Sequence, residues 1–263
     1  ATVMAAGVIA IILFFSFRQV ALSLQPKPVT FPMPGGHLWA SQWHDPYAAM
    51  RIDTESIESP SILWEFEDPN GFSGSPAVAE DGMIYLLSGS GQLHSLTPDG
   101  AVNWTADLPA EGVGSPALDA DGNIYVTDML GGLSSFTPAG DTRWNYQPPD
   151  SFEATSGPVV GMNGVVYYVV IGNVRAVSSE GDPLWDTTAF GRRVTFTPVL
   201  SPDGEFVFLR NTIVDAQSGD VVRFDNLPTA EQYMVGQNGL LYSRFENKMT
   251  AFEYLDGKAE VRN

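Results

Sequence analysis

The chain has 263 residues, with 31 acidic against 13 basic side chains and a formal net charge of -18. That balance excludes a nucleic-acid binder, whose phosphate contacts call for stripes of Lys and Arg. There is no cysteine, so disulfides, thiolate catalysis, Cys-type zinc sites and iron–sulfur clusters are excluded as well.

Ala1 to Phe17 carries no charge and is almost wholly apolar. As a helix it would be roughly 25 Å long at 1.5 Å per residue, close to the hydrocarbon thickness of a bilayer. A buried helix of a soluble core fits poorly, because a polar, proline-rich stretch follows at once. Ala21-Leu22-Ser23 would also pass as a signal-peptide cleavage site. We read residues 1–20 as an uncleaved transmembrane anchor helix, in contact with lipid and integral membrane subunits through residues 1–17. Arg18 alone does not fix its orientation. Residues 21–38 contain Pro26, Pro28, Pro32 and Pro34 and read as an extended spacer.

From residue 39 on, the pattern changes. Trp39 to Pro46 leads into a polar loop, and Ser61 to Phe66 has the alternation of a strand. Trp64, Trp104, Trp144 and Trp185 then recur at separations of 40, 40 and 41 residues, and the last three each stand four positions after a glycine, Gly100, Gly140 and Gly181. Pro76, Pro116, Pro158 and Pro198 keep the same step, as do Asp81-Gly82, Asp121-Gly122, Asn163-Gly164, Asp203-Gly204 and Asn238-Gly239. Three marks sharing a period near 40 identify a propeller or a related repeat array.

The second repeat is readable strand by strand: 115–119, 123–128, 133–137 and 141–146, joined at Asp121-Gly122, Gly131-Gly132 and Gly140. Gly82, Gly122, Gly164, Gly204 and Gly239 are the expected tight hairpin turns, read as two-residue loops needing positive φ. Later units are degraded but in phase: 205–209 and 212–215, then 240–243 and 249–252. Gly257 to Asn263 reads as the start of another unit. Four-stranded antiparallel blades cannot bury both faces alone, and stacking them around an axis does so. The expected fold is therefore all-β, a β-propeller of about five visible repeats over 39–263, preceded by one transmembrane helix.

The unit Ser-Pro-Ala, Asp-Gly, Ile-Tyr-Val, Gly-x-Leu and Gly-x-x-x-Trp resembles the PQQ-like β-propeller repeat of quinoprotein-type proteins, and does so over residues 61–263. The resemblance implies that Trp64, Trp104, Trp144 and Trp185 dock neighbouring blades. Propellers of that family commonly have about seven or eight blades, so either this ring has few blades or the sequence is a partial one, and the second is the expectation. The family includes enzymes, assembly factors and scaffolds, so the motif specifies architecture better than activity.

No catalytic, cofactor-binding or metal-binding residue is nominated. Quinoprotein dehydrogenases use calcium, a catalytic Asp and a vicinal disulfide over the quinone, and this chain lacks the cysteines. Asp119-Ala-Asp121-Gly122-Asn123 is closer to a hairpin turn than to a calcium loop, since the closing Glu is missing. His37, His44 and His94 are too scattered for a metal site, and His94 is assigned to a strand face. Tyr85, Tyr125, Tyr167 and Phe208 fall at equivalent strand positions and read as core. Asn103-Trp-Thr105 matches a glycosylation acceptor but lies on a repeat strand.

The expected function is that of a non-enzymatic, extracytoplasmic propeller without a cofactor. It would be an accessory or scaffold subunit of a membrane complex, with protein partners on the propeller. An electron-transport or photosynthetic complex is one setting. An envelope-assembly factor resembling the outer-membrane assembly propeller lipoprotein is a second reading, and a PQQ-dependent dehydrogenase a third.

Overall fold

The computed structural model describes residues 61–149, 153–188, 197–201, 203–209, 212–222, 232–235, 240–255 and 258–261. The anchor (1–20), the spacer (21–38), Trp39 to Pro46, His37, His44, Gly239 and Asp256-Gly257 lie outside them. Among the described residues the secondary structure is all strand, and no helix is long and apolar enough to cross a membrane.

Five four-stranded sheets follow one another along the chain, each an antiparallel meander in sequence order. They have the architecture of propeller blades. The first holds β1 (Ala77–Val78), β2 (Ile84–Leu87), β3 (Gln92–Leu96) and β4 (Val102–Asp107). The second holds β5 (Gly112–Leu118), β6 (Ile124–Asp128), β7 (Leu133–Phe136) and β8 (Thr142–Tyr146). The third runs from β9 (Val159–Val160) through β10 (Val166–Val170) and β11 (Asn173–Val177) to β12 (Pro183–Thr188). The fourth is β13 (Val199–Leu200), β14 (Phe206–Leu209), β15 (Thr212–Asp215) and β16 (Val221–Val222). The fifth is β17 (Gln232–Val235), β18 (Leu240–Phe245), β19 (Lys248–Leu255) and β20 (Lys258–Val261).

The core lies between the sheets. Successive residues of a strand point to opposite faces, so an inner strand buried on both sides reads as a continuous apolar run. On β6, Ile124 and Val126 pack with Tyr85 and Leu87 of the first sheet, while Tyr125 packs with Val166 and Tyr168 of the third. Beyond them, Tyr167, Phe208, Tyr233 and Phe252 share a cluster that joins the third, fourth and fifth sheets. Tyr85, Tyr125, Tyr167 and Phe208 are all buried.

Three expectations need correction. Residues 61–66 form no strand, and Ile62 and Leu63 are exposed. Alternation marks a half-buried face, but a strand also needs a ladder partner, and the described sheets offer this segment none. Residues 258–261 do not begin a sixth unit. They form β20, paired Leu255↔Lys258 to Phe252↔Val261, and complete the fifth sheet. The Asp-Gly turns are not two-residue loops. Gly82 N–H donates to Ala79 O (3.0 Å) and Ala79 N–H to Met83 O (2.9 Å), which encloses three residues. The pattern recurs at 119–123, 161–165, 97–101 and 137–141. A type I turn followed by a left-handed glycine explains it, and the same dipeptide serves both loop types.

Candidate functional site

Each described tryptophan reaches into the following repeat. The Trp104 indole N–H donates to Pro138 O (2.9 Å), Trp144 to Ser179 O (2.9 Å) and Trp185 to Ala216 O (3.1 Å). Trp64 donates to Pro98 O (3.0 Å), which pins residues 61–66 to the first sheet without a ladder. Below each ring lies a glycine: Gly100 under Trp64, Gly140 under Trp104, Gly181 under Trp144 and Gly219 under Trp185. A Cβ on Gly140 would stand 2.8 Å from Trp104 Cδ2, and its φ of +95° is one an L side chain resists. Tyr85, Tyr125 and Tyr167 hold rings 5.8–5.9 Å from Trp104, Trp144 and Trp185. Of the turn glycines, Gly82, Gly122, Gly164 and Gly204 all have positive φ.

A second set of close approaches was not read from the sequence. Gly74, Gly114 and Gly157 bring successive repeats into backbone contact. Ser75 N–H donates to Ser115 Oγ (2.8 Å), and Ser73 Oγ to Gly112 O (2.7 Å). Thr127 Oγ1 lies 2.8 Å from Val113 O and 2.9 Å from Ser156 O. The available signal was a glycine before Ser-Pro at positions 74 and 114, in step with the period.

Two polar clusters sit in this frame. In the second sheet Asp119 accepts the Asp121 and Asn123 amides (2.9 Å each), the Asn123 side chain (2.8 Å) and the Tyr125 hydroxyl (2.7 Å). Its oxygens thus organise a hairpin turn. Burial raises the Tyr125 phenol above its ordinary pKa, and the hydrogen bond to Asp119 adds to the rise. Arg143 Nη1 donates to the same hydroxyl (3.1 Å) and to Ser135 Oγ (3.0 Å).

The second cluster ties the segment after Trp64 to β3. His94 is indeed on a strand, with Nε2 2.9 Å from Asp68 Oδ2 and Nδ1 3.2 Å from Thr105 Oγ1. The Asn70 amide on Asp68 Oδ1 (2.8 Å) holds that carboxyl below its usual range, with a smaller contribution from His94. A depressed carboxyl stabilises above its unfolded pKa of about 3.9, and this contribution is lost as pH falls through the lowered value. Pepsin should therefore cut at 61–66 slowly in the wild type at pH 5 and faster in Asp68→Asn. The two rates should converge as pH falls through that lowered value, and a constant ratio would contradict the assignment.

Outside the core, Phe72, Met129, Leu130, Phe245 and Met249 are exposed. Met129 and Leu130 lie on the β6–β7 hairpin. The β1–β2 and β3–β4 type turns instead carry carboxylates: Glu80, Asp81, Asp99, Asp121, Asp141, Glu180 and Asp182. Two grooves open between sheets beside these turns. One, of about 330 Å³, lies between the first and second sheets, and one of about 720 Å³ between the third and fourth.

Repeated four-stranded sheets clamped by indoles on glycines define a propeller of the PQQ-like type. Residues 32–259 match the family described as outer membrane protein assembly factor BamB, and the chain belongs to that family. Among solved structures it is similar to BamB from Moraxella catarrhalis, with a TM-score of 0.57 and 17% identity over 76% of this chain. The chain covers 63% of the length of that protein. It is also similar to a protein of unknown function from Bacteroides caccae, with a TM-score of 0.51 and 17% identity, over 75% of this chain and 83% of that one. No curated protein matches it by sequence.

Proposed function

We propose that this chain is a non-enzymatic protein-interaction module of an envelope assembly, tethered to the membrane by residues 1–20 with its propeller on the extracytoplasmic side. The observation that carries the reading is the match of residues 32–259 to a family described as an assembly factor. The arrangement of side chains supports it. The recurring polar groups are spent on joining one sheet to the next, as Trp144 on Ser179 and Thr127 on Ser156 illustrate. What faces outward is contact surface: exposed Met129 and Leu130 on one hairpin, and carboxylate-bearing turns on others. Exposed apolar side chains at one end of the sheets and charged turns at the other each suit a protein contact. The tether reading rests on the uncharged apolar run from Ala1 to Phe17. Scaffolding of an electron-transport or photosynthetic complex is a narrower form of the same proposal, motivated by the net charge of -18, which would attract a basic soluble carrier.

The test is native electrophoresis of membranes from cells with and without the chain, repeated with Met129→Asp/Leu130→Asp. The expected result is loss or shrinkage of one membrane assembly in the deletion, and partial loss in the double variant. Unchanged assemblies in the deletion would overturn the proposal.

A further inference from the structure

The groove between the first and second sheets repeats the site between the second and third, without the side chain that occupies the latter. In the second sheet the cross-strand register sets Tyr125 opposite Ser135 and Ser135 opposite Trp144. Arg143 fills the space beside them, donating from Nη1 to both the Tyr125 and Ser135 oxygens, while Nη2 lies 3.6 Å from Glu180 Oε1 of the third repeat. The first sheet has the same register: Tyr85 opposite Ser95, and Ser95 opposite Trp104. Yet Asn103 stands where the second repeat has Arg143, and Ala79 where it has Asp119.

Two oxygens are left over. Ser95 Oγ is buried without a hydrogen-bond partner. The Tyr85 side chain is 2% exposed and lines the groove, and among the described residues its hydroxyl has no hydrogen-bond partner. Ala79 and Pro138 give the groove apolar walls, and Glu80, Asp81 and Asp121 bring three carboxylates to it. No Lys or Arg lines it. Asp81 uses Oδ1 to accept the Met83 amide (3.0 Å). An incoming group must therefore be cationic, present several donors at fixed angles, and carry an apolar stem. Arginine meets all three conditions, whereas the ammonium of lysine is a compact point charge without the planar fork.

We propose that the groove between the first and second sheets receives the arginine side chain of a partner polypeptide, its guanidinium on the Tyr85 hydroxyl as that of Arg143 is on Tyr125, and paired there with the Asp81 and Asp121 carboxylates. The proposal rests on the protein-interaction reading above and names the chemistry of the partner. The groove between the third and fourth sheets is built differently: Leu184 replaces the arginine, and the Tyr167 hydroxyl already donates to Ala216 O (3.3 Å). Among the three inter-sheet positions compared, the open arginine seat is therefore the one between the first and second sheets.

The test uses the full chain in detergent and fluorescent heptapeptide libraries with randomised flanks and a fixed central arginine, lysine or citrulline. Binding is followed by anisotropy. The arginine library is expected to yield binders that lose at least tenfold in affinity when the arginine becomes citrulline or lysine. Asn103→Arg, which supplies the guanidinium from the chain itself, should weaken those binders at least tenfold. Tyr85→Phe should weaken them several-fold. Should Asn103→Arg fail to fold, Asp81→Asn/Asp121→Asn, which changes turn side chains only, carries the same expectation. Equal affinity of the citrulline or lysine peptides, or unchanged affinity in these variants, would overturn the assignment. Such a failure would leave the membrane assemblies of the wild-type chain intact, whereas failure of the wider reading would appear in those assemblies first.

Discussion

Gly114→Ala is expected to lower the stability of the full chain by roughly 2–5 kcal/mol. Two costs add. The residue has φ +74°, where a Cβ costs about 1–2 kcal/mol. The added methyl would also stand 2.6 Å from Gly157 Cα, against backbone that cannot rotate away as a side chain can. Overpacking of this kind typically costs about 1–3 kcal/mol. Gly204→Ala is the control. Its φ is the same +74°, but nothing lies within 4 Å of the new methyl. It should cost only about 1–2 kcal/mol, the strain contribution alone. Urea unfolding gives both values, and equal midpoints for the two variants would show that Gly114 is not in close contact.

Trp144→Ala is expected to cost roughly 3–5 kcal/mol, the range for truncating a large aromatic. The indole covers Gly181, holds Ser179 O at 2.9 Å and packs against Tyr125 at 5.9 Å. Trp144→Phe separates these contributions. It keeps an apolar ring over Gly181 but removes the N–H, so it should lose about 1 kcal/mol for the hydrogen bond and a smaller amount for the lost ring. If both substitutions left the urea midpoint of the wild type unchanged, the indole would not join the second and third sheets.

Much of this architecture is legible in the sequence because the repeat writes it four times. The tryptophan, the glycine four residues before it and the Asp-Gly turn each keep the period, so fold class and strand order follow from spacing alone. That Trp104 and Gly140 meet is harder to read. They lie 36 residues apart, and only the stacking of one sheet on the next brings them together. The approach of Gly74, Gly114 and Gly157 is hidden for the same reason: a glycine before Ser-Pro looks like a loop until the neighbouring repeat is placed against it. Only the first and second repeats have Ser-Pro-Ala, which weakens that signal further.

The arginine seat depends on departures from the repeat. Arg143 and Asp119 occur in the second unit, while Asn103 and Ala79 replace them in the first. A consensus reading averages such differences away, although they decide which groove is filled. Residues 61–66 illustrate the opposite case. Their alternation is that of a strand, and Trp64 sits over Gly100 as the later tryptophans sit over theirs, yet the ladder that would make them a strand is supplied by no described residue.

The most direct measurement is a double-mutant cycle between Trp104 and Gly140 in the full chain, read as urea midpoints. If the indole lies on the glycine of the next repeat, Gly140→Ala should be costly with Trp104 present and cheaper by at least about 1 kcal/mol once Trp104 is alanine, the coupling expected of residues in contact. Strict additivity of the two substitutions would contradict the docking of each repeat on the next, and with it the account of how this propeller holds together.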